Sequence, residues 1–302
     1  MQRMSGSLAP ASLFGKLPSR GDFVRLEMVD DAGRALESWL TDSVERSQGE
    51  VPTSPVRFLF TQGEVTLLGA WQKSRDEIGR TFPLVAFFQV SEELTGLRWS
   101  LLPAFFDAFL TQIETVLAGQ LQQTPEDALA AVRAVTAPHP SELVKAIFDA
   151  QAYLAQEPSS AFAHRVFGAE APLPMPYALF TLREACARAT ARPTLDLPLR
   201  HPHDTFVWLE LLDALATEAS QSAPAFVWTA SEGRALASFE QPSELTCSFL
   251  LDPKHGSSAR WPVSTTRVDG REALAQLPPA VQSALSADVA LQSLISSLKG
   301  AR

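Results

Sequence analysis

Five histidines and two cysteines are the side chains best suited to bind a metal or attack a substrate, and one group of them has suggestive spacing. In His201-Pro202-His203-Asp204, alternate residues of an extended segment would project from one side, as ligands from a strand do. With further ligands from elsewhere, this group would serve a metal-dependent hydrolase built on His201, His203 and Asp204. No second His/Cys/carboxylate cluster of matching density is present to supply them. The competing reading is a polar, proline-bent entry into a helix at Thr205, with Asp204 as its cap, and it needs no further ligand. His139 and His255 stand beside Pro or Gly and read as surface residues. Cys186 falls in a helical run and Cys247 in a strand-like one, both as apolar packing positions without a neighbouring base. There is no Gly-x-Ser-x-Gly elbow and no Gly-rich phosphate loop, so the sequence names no nucleophile and implies no cofactor.

Two other stretches concentrate polar groups. Phe14-Gly15-Lys16-Leu17-Pro18-Ser19-Arg20-Gly21-Asp22-Phe23 sets two glycines, a proline and several charged or hydroxyl groups between phenylalanines. Ser74-Arg75-Asp76-Glu77-Ile78-Gly79-Arg80-Thr81-Phe82-Pro83-Leu84 leads into the most apolar run of the chain. Gly79 beside Arg80 at a strand entrance predicts a bend that carries the guanidinium toward other segments. Arg20 and Asp22 can pair across a tight turn, and Arg20, Asp22, Asp76 and Arg80 can form one half-buried ion network. Such a network serves either the fold or a binding surface. The residues alone lean to the fold and leave both readings open.

The elements that would position these groups mix both hydrophobic periods. Asp30 or Asp31 can cap a helix through Glu45, because Ala32, Leu36, Leu40 and Val44 recur every four residues. Val56–Thr61 and Val65–Ala70 read as a hairpin, and Leu84–Val90 as a strand covered on both faces. One long helix is expected from Pro103, with Phe105, Phe109, Ile113 and Val116 on its buried side. A mainly helical region follows, with helices at Glu126–Thr136, Ser141–Gln156, Tyr177–Thr190 and Thr205–Ser220. Ala169–Pro176 and Arg192–Asp204 read as proline-rich connections. The last third returns to strands at Ala225–Thr229, Ala235–Phe239 and Thr246–Leu251, then one helix over Pro279–Lys299. This order predicts an α+β fold, an antiparallel sheet flanked by helices.

Composition narrows the function classes. The 302 residues are 46% hydrophobic, with 25 basic against 34 acidic side chains and a net charge of −9. No basic excess exists to neutralise phosphates, which argues against a nucleic-acid or anionic-membrane binder. Apolar runs such as Leu84–Phe88 are too short to span a bilayer, and Met1–Pro10 does not read as a signal peptide. Two cysteines cannot form a disulfide framework, so a reducing cytoplasm is the expected compartment.

The two polar stretches, with Trp39-Leu40 between them, resemble the TagF (ImpM) family of type VI secretion accessory proteins in order and spacing. Phe206-Val207-Trp208-Leu209-Glu210 and Pro224-Ala225-Phe226-Val227-Trp228-Thr229 resemble its C-terminal aromatic segment, although Val227 stands where the family more often has a second tryptophan. The resemblance implies a TagF-like α/β domain at 1–119, a helical insert at 120–204, and a C-terminal α/β segment at 205–302 that completes the fold. It further implies that the first domain is longin-like, a type that works as a protein-docking platform. TagF proteins act after translation to repress type VI secretion and are linked to the forkhead-associated (Fha) scaffold protein. The implied function is therefore a non-catalytic cytoplasmic repressor that works by protein–protein binding, without nucleic acid or membrane insertion. Some relatives carry a PppA-type phosphatase, and this chain lacks the metal-binding Asp pattern that would suggest one. Under the resemblance, Lys16, Ser19, Arg20, Asp22, Asp76 and Arg80 are candidate partner-binding residues. Gly15, Pro18, Gly21, Phe23, Trp39, Gly79, Phe82, Pro83 and Trp228 are its structural motif. A small-GTPase docking platform follows by fold analogy alone.

Overall fold

The computed structural model describes residues 8–28, 31–91, 94, 99–121, 123–168, 174–188, 192–216, 224–239, 241–264 and 269–300. Strands β1 (Ser12–Gly15) and β2 (Val24–Leu26) flank the first polar stretch and pair antiparallel. Helix α1 (Asp31–Arg46) buries Ala32, Leu36, Trp39, Leu40 and Val44, the face its four-residue recurrence predicts. Strands β3 (Val56–Gln62) and β4 (Val65–Gln72) form the expected hairpin, with Gly63 at φ +59° supplying the left-handed residue of a two-residue turn. Strand β5 (Leu84–Gln89) lies between β1 and β4. Its Leu84, Ala86 and Phe88 join one core while Val85 and Phe87 join the other, which explains its unbroken apolar run.

The single helix expected from Pro103 is two. A 3₁₀ turn at Trp99–Leu101 runs into α2 (Leu102–Phe105), and α3 (Asp107–Gln120) leaves it at a bend of 56°. Phe106 sits at the break and is wholly buried against Phe105 and Phe109. Phe106 takes its place in the core at this bend. Helices α4 (Pro125–Ala134) and α5 (Pro140–Gln156) follow. His139 is the cap of α5: its Nδ1 accepts from Ser141 N–H and its own N–H donates to Glu142 Oε1, each at 3.2 Å.

Helix α6 (Ser159–Phe167) has no counterpart in the sequence expectations. Helix α7 (Pro174–Ala187) begins inside the stretch read as a proline-rich connection, whose first residues fall outside those described. The next such connection, Arg192–Asp204, contains strand β6 (Thr194–Pro198). It is followed by α8 (Asp204–Leu215), β7 (Ala225–Thr229) and β8 (Arg234–Ser238). Thr246–Leu251, expected as a strand, is helix α9. Ser243 starts it, taking Thr246 N–H on its carbonyl and Leu245 N–H on its hydroxyl. After β9 (Arg260–Pro262) and α10 (Gly270–Ala275), the expected terminal helix divides into α11 (Pro279–Ser286) and α12 (Leu291–Lys299). Asp288 breaks it at φ +49°, where its carboxylate accepts from Ser160 N–H at 2.9 Å and Ser160 Oγ at 2.7 Å, at the start of α6.

The strands make one sheet in the order β2-β1-β5-β4-β3-β7-β8-β6-β9, antiparallel throughout except for β6 with β9. The fold is α+β. The seam between β3 and β7 sets Arg57 opposite Trp228 and Phe58 opposite Val227, so the first hairpin and the late aromatic segment are hydrogen-bonded neighbours. Helices α1 and α9 cover one face of the sheet, and α2, α3 and most later helices cover the other. Among the described residues no single helix is long and apolar enough to cross a membrane.

Candidate functional site

Gly15 ends β1 at φ +126°, and the next residue, Lys16, turns toward the segment that follows β4. There Asp76 is buried, with Lys16 Nζ 3.0 Å from its Oδ2. Arg80 closes on the same carboxylate, Nε to Oδ2 at 2.6 Å and backbone N–H to Oδ1 at 2.8 Å, and its Nη2 donates to Gly21 O at 2.7 Å. Gly79 N–H to Asp76 O and Asp76 N–H to Arg80 O complete a tight turn. Its left-handed residue is Gly79, at φ +89°. Glu77 N–H donates to Arg20 O, so the two polar stretches lie side by side. The cluster therefore joins Lys16, Asp76 and Arg80, with Gly21 through its carbonyl.

Burial alone would raise the Asp76 carboxyl, but hydrogen bonds from Lys16 and Arg80 outweigh it and hold the group well below the usual carboxylate range. A depressed carboxylate stabilises the fold above its unfolded value of about 4, and that contribution is lost as pH falls toward the folded value. Urea unfolding between about pH 5 and about pH 3 should show the wild type losing stability more steeply than Asp76→Asn. Parallel pH profiles would mean that the carboxylate carries no such linkage.

Arg20 and Asp22, by contrast, are exposed and make no side-chain ion pair or hydrogen bond among the described residues, neither with each other nor with Asp76. The sequence placed them in the ion network, and the fold puts Lys16 there instead. Ser19, also exposed, donates to Gln123 O at 2.7 Å and ties the loop to the start of the helical region. Ile78 stands at the tip of the turn, 71% exposed. The aromatics behind it are packed: Phe23 lies edge-on to Phe82 at 5.0 Å and stacks on Phe14 at 6.3 Å. Trp39 stacks on Phe60 and donates Nε1–H to Ser243 O, which binds α1 to the α9 turn. Trp228 is buried at the seam beside Phe226. Pro18 is half-buried in the loop.

His201-Pro202-His203 forms a turn, with His203 at φ −75° and ψ −11°, so its side chains do not alternate as on a strand. Asp204 is the first residue of α8 and wholly buried. Its Oδ1 accepts from Arg165 Nε and Nη2 at 3.1 and 2.9 Å, and its Oδ2 from Arg200 and His201 N–H at 2.7 and 2.8 Å. With both oxygens so engaged, it closes the turn. The two imidazoles lie near the Tyr153 ring, His203 at 4.6 Å, and burial pushes the His203 ring down from its ordinary value. Among the described residues no group of three or more His, Cys, Asp or Glu is placed to hold a metal ion. Cys186 and Cys247 are buried, the latter on helix α9, and burial pushes its thiol up to about 11.

Ile78 is the residue of this site that sequence reasoning passed over. Its signal was an isoleucine in a turn otherwise built from Asp, Glu, Gly and Arg, where turns favour small or polar side chains.

Residues 12–135 match the family model described as the TagF N-terminal domain, type VI secretion system-associated. No curated protein matches the chain. Among solved structures, PA0076 from Pseudomonas aeruginosa PAO1 is 26% identical over 42% of this chain and 63% of that one, with a TM-score of 0.37. The chain thus spans less than two thirds of that protein's length, and the score is too low to carry a fold across.

Proposed function

We propose, from the match of residues 12–135 to the TagF N-terminal domain, that this is a type VI secretion-associated protein, a non-catalytic cytoplasmic repressor acting by protein–protein binding. The partner in this reading is a forkhead-associated scaffold protein or another component of the secretion system. One observation supports it above the rest. The TagF motif presents Ser19, Arg20, Asp22 and Glu77–Arg80 as one exposed surface, on a turn held by Lys16 and Arg80 on the buried carboxylate of Asp76. The polar motif residues thus divide between two roles, with Lys16 and Asp76 stabilising the turn and Arg20 and Asp22 facing outward. In this reading 1–119 is the longin-like docking platform, 120–204 is a mainly helical insert that also lends β6 to the sheet, and 205–302 supplies the remaining strands. Carboxylate chemistry at Asp204 has little support, since four donors already occupy its oxygens.

The test is affinity purification of the tagged chain from its host in mild salt, beside Arg20→Ala. The wild type should recover a forkhead-associated protein or other type VI components, and Arg20→Ala should recover less. The substitution should leave the melting temperature unchanged, because an exposed side chain without a partner among the described residues contributes within about 0.5 kcal/mol. Recovery of no such component, with secretion unaltered when the chain is deleted, overturns the reading.

A further inference from the structure

We infer that Ile78 is an apolar plug which docks into an apolar socket with an acidic rim on the protein partner. This rests on the binding role proposed above and specifies the chemistry of the contact. Among the described residues the exposed large apolar side chains are Ile78, Val144, Phe148 and Leu251, and Ile78 is the most exposed of them. A scattered surface isoleucine needs no explanation. This one is held out by a turn fixed through five hydrogen bonds, those of Asp76 and Gly79 within it and those of Arg80 to Asp76 Oδ1, Asp76 Oδ2 and Gly21 O. A side chain presented on such a rigid base loses little conformational freedom when it is buried, which favours use as an anchor.

Charge identifies the socket's rim. Arg20, Arg75 and Arg80 are exposed around Ile78, against the carboxylates of Asp22 and Glu77. Asp76 is the third carboxylate of the neighbourhood, buried and shared between Lys16 and Arg80, so the four cations Lys16, Arg20, Arg75 and Arg80 exceed the three carboxylates by one. The patch is therefore locally basic on a chain whose net charge is −9. Complementary potential favours a partner segment rich in Asp and Glu around an apolar centre, and disfavours a basic one.

A photoreactive amino acid at position 78 of the full-length chain, expressed in its host, tests this, with the same label at exposed Lys145 on α5 as control. The expected result is an adduct specific to position 78 whose cross-linked segment is apolar and flanked by acidic residues. That segment, made as a peptide, is then the binding probe. Ile78→Asp should weaken it at least about tenfold, Ile78→Leu should leave it nearly unchanged, and added salt should weaken the wild type. No adduct above the control, a segment without acidic residues, or full binding by Ile78→Asp overturns the inference. An acid-rimmed adduct on a protein outside the secretion system upholds the surface and overturns the type VI partner. Recovery of a type VI component undiminished by Ile78→Asp does the reverse.

Discussion

Replacing Asp196 with Asn is expected to lower the unfolding free energy by about 3–5 kcal/mol, because it strands two buried cations at once. Asp196 lies on β6, 7% exposed, between Arg234 of β8 and Arg260 of β9. Arg234 donates Nε and Nη2 to its two oxygens at 2.8 and 2.9 Å, and Arg260 donates Nε at 2.9 Å and Nη2 to Oδ2. The remaining bonds of the two guanidiniums go to carbonyls, Phe249 O and His255 O. Arginine does not shed its proton to escape burial, so the variant must keep both charges, solvate them by opening the sheet edge, or unfold. Urea unfolding followed by tryptophan fluorescence reads the change. Asp196→Leu combined with Arg234→Met and Arg260→Met should recover much of the loss, since an apolar replacement of a whole buried cluster is often near neutral. A loss below about 1 kcal/mol in Asp196→Asn would mean that water already reaches the cluster.

The same carboxylate shows why β6 escaped the sequence. Thr194-Leu195-Asp196-Leu197 alternates polar and apolar residues as a strand should, but prolines bound it and a charge occupies its centre. Read locally, that is a connection. It becomes a strand only because two guanidiniums arrive from segments 38 and 64 residues away. The turn at Asp288 is hidden in the same way, since its partner Ser160 lies 128 residues off. Elements whose stability is local were legible: the buried face of α1, the β3–β4 hairpin, and β5 with its two covered faces. Within the site, Asp76 and Arg80 were legible as a pair because they stand four residues apart across a glycine. The choice of Lys16 over Arg20 as third member depends on how the chain leaves β1, and no spacing rule carries that. Arg20 and Asp22 look pairable in sequence, yet the fold leaves both in solvent, and the docking role proposed for them rests on that exposure.

How the chain leaves β1 rests on Gly15, and Gly15→Ala is expected to destabilise the protein by roughly 3 kcal/mol or more, with loss of folded yield a natural outcome. Two effects combine. The φ of +126° lies in a region that side-chain-bearing residues rarely adopt, and a Cβ at this position would fall 2.0 Å from Pro83 O and 3.0 Å from Leu84 Cα. Those atoms are backbone at the entrance of β5, which pairs with β1 through Phe14 and Val85, so they cannot move aside without parting the two strands. Gly79→Ala provides the comparison. Its φ is also positive, at +89°, but nothing lies within 4 Å of the added methyl. It should lose only about 1–2 kcal/mol from backbone strain and remain folded. Denaturant midpoints of the two variants therefore separate strain from collision. Equal losses would show that backbone conformation governs both glycines, whereas the larger loss expected at Gly15 would show that β1 and β5 approach as closely as this geometry requires. That close approach carries Lys16 to Asp76, so a Gly15→Ala protein that still folds should also lose the steep pH dependence assigned to the Asp76 carboxylate.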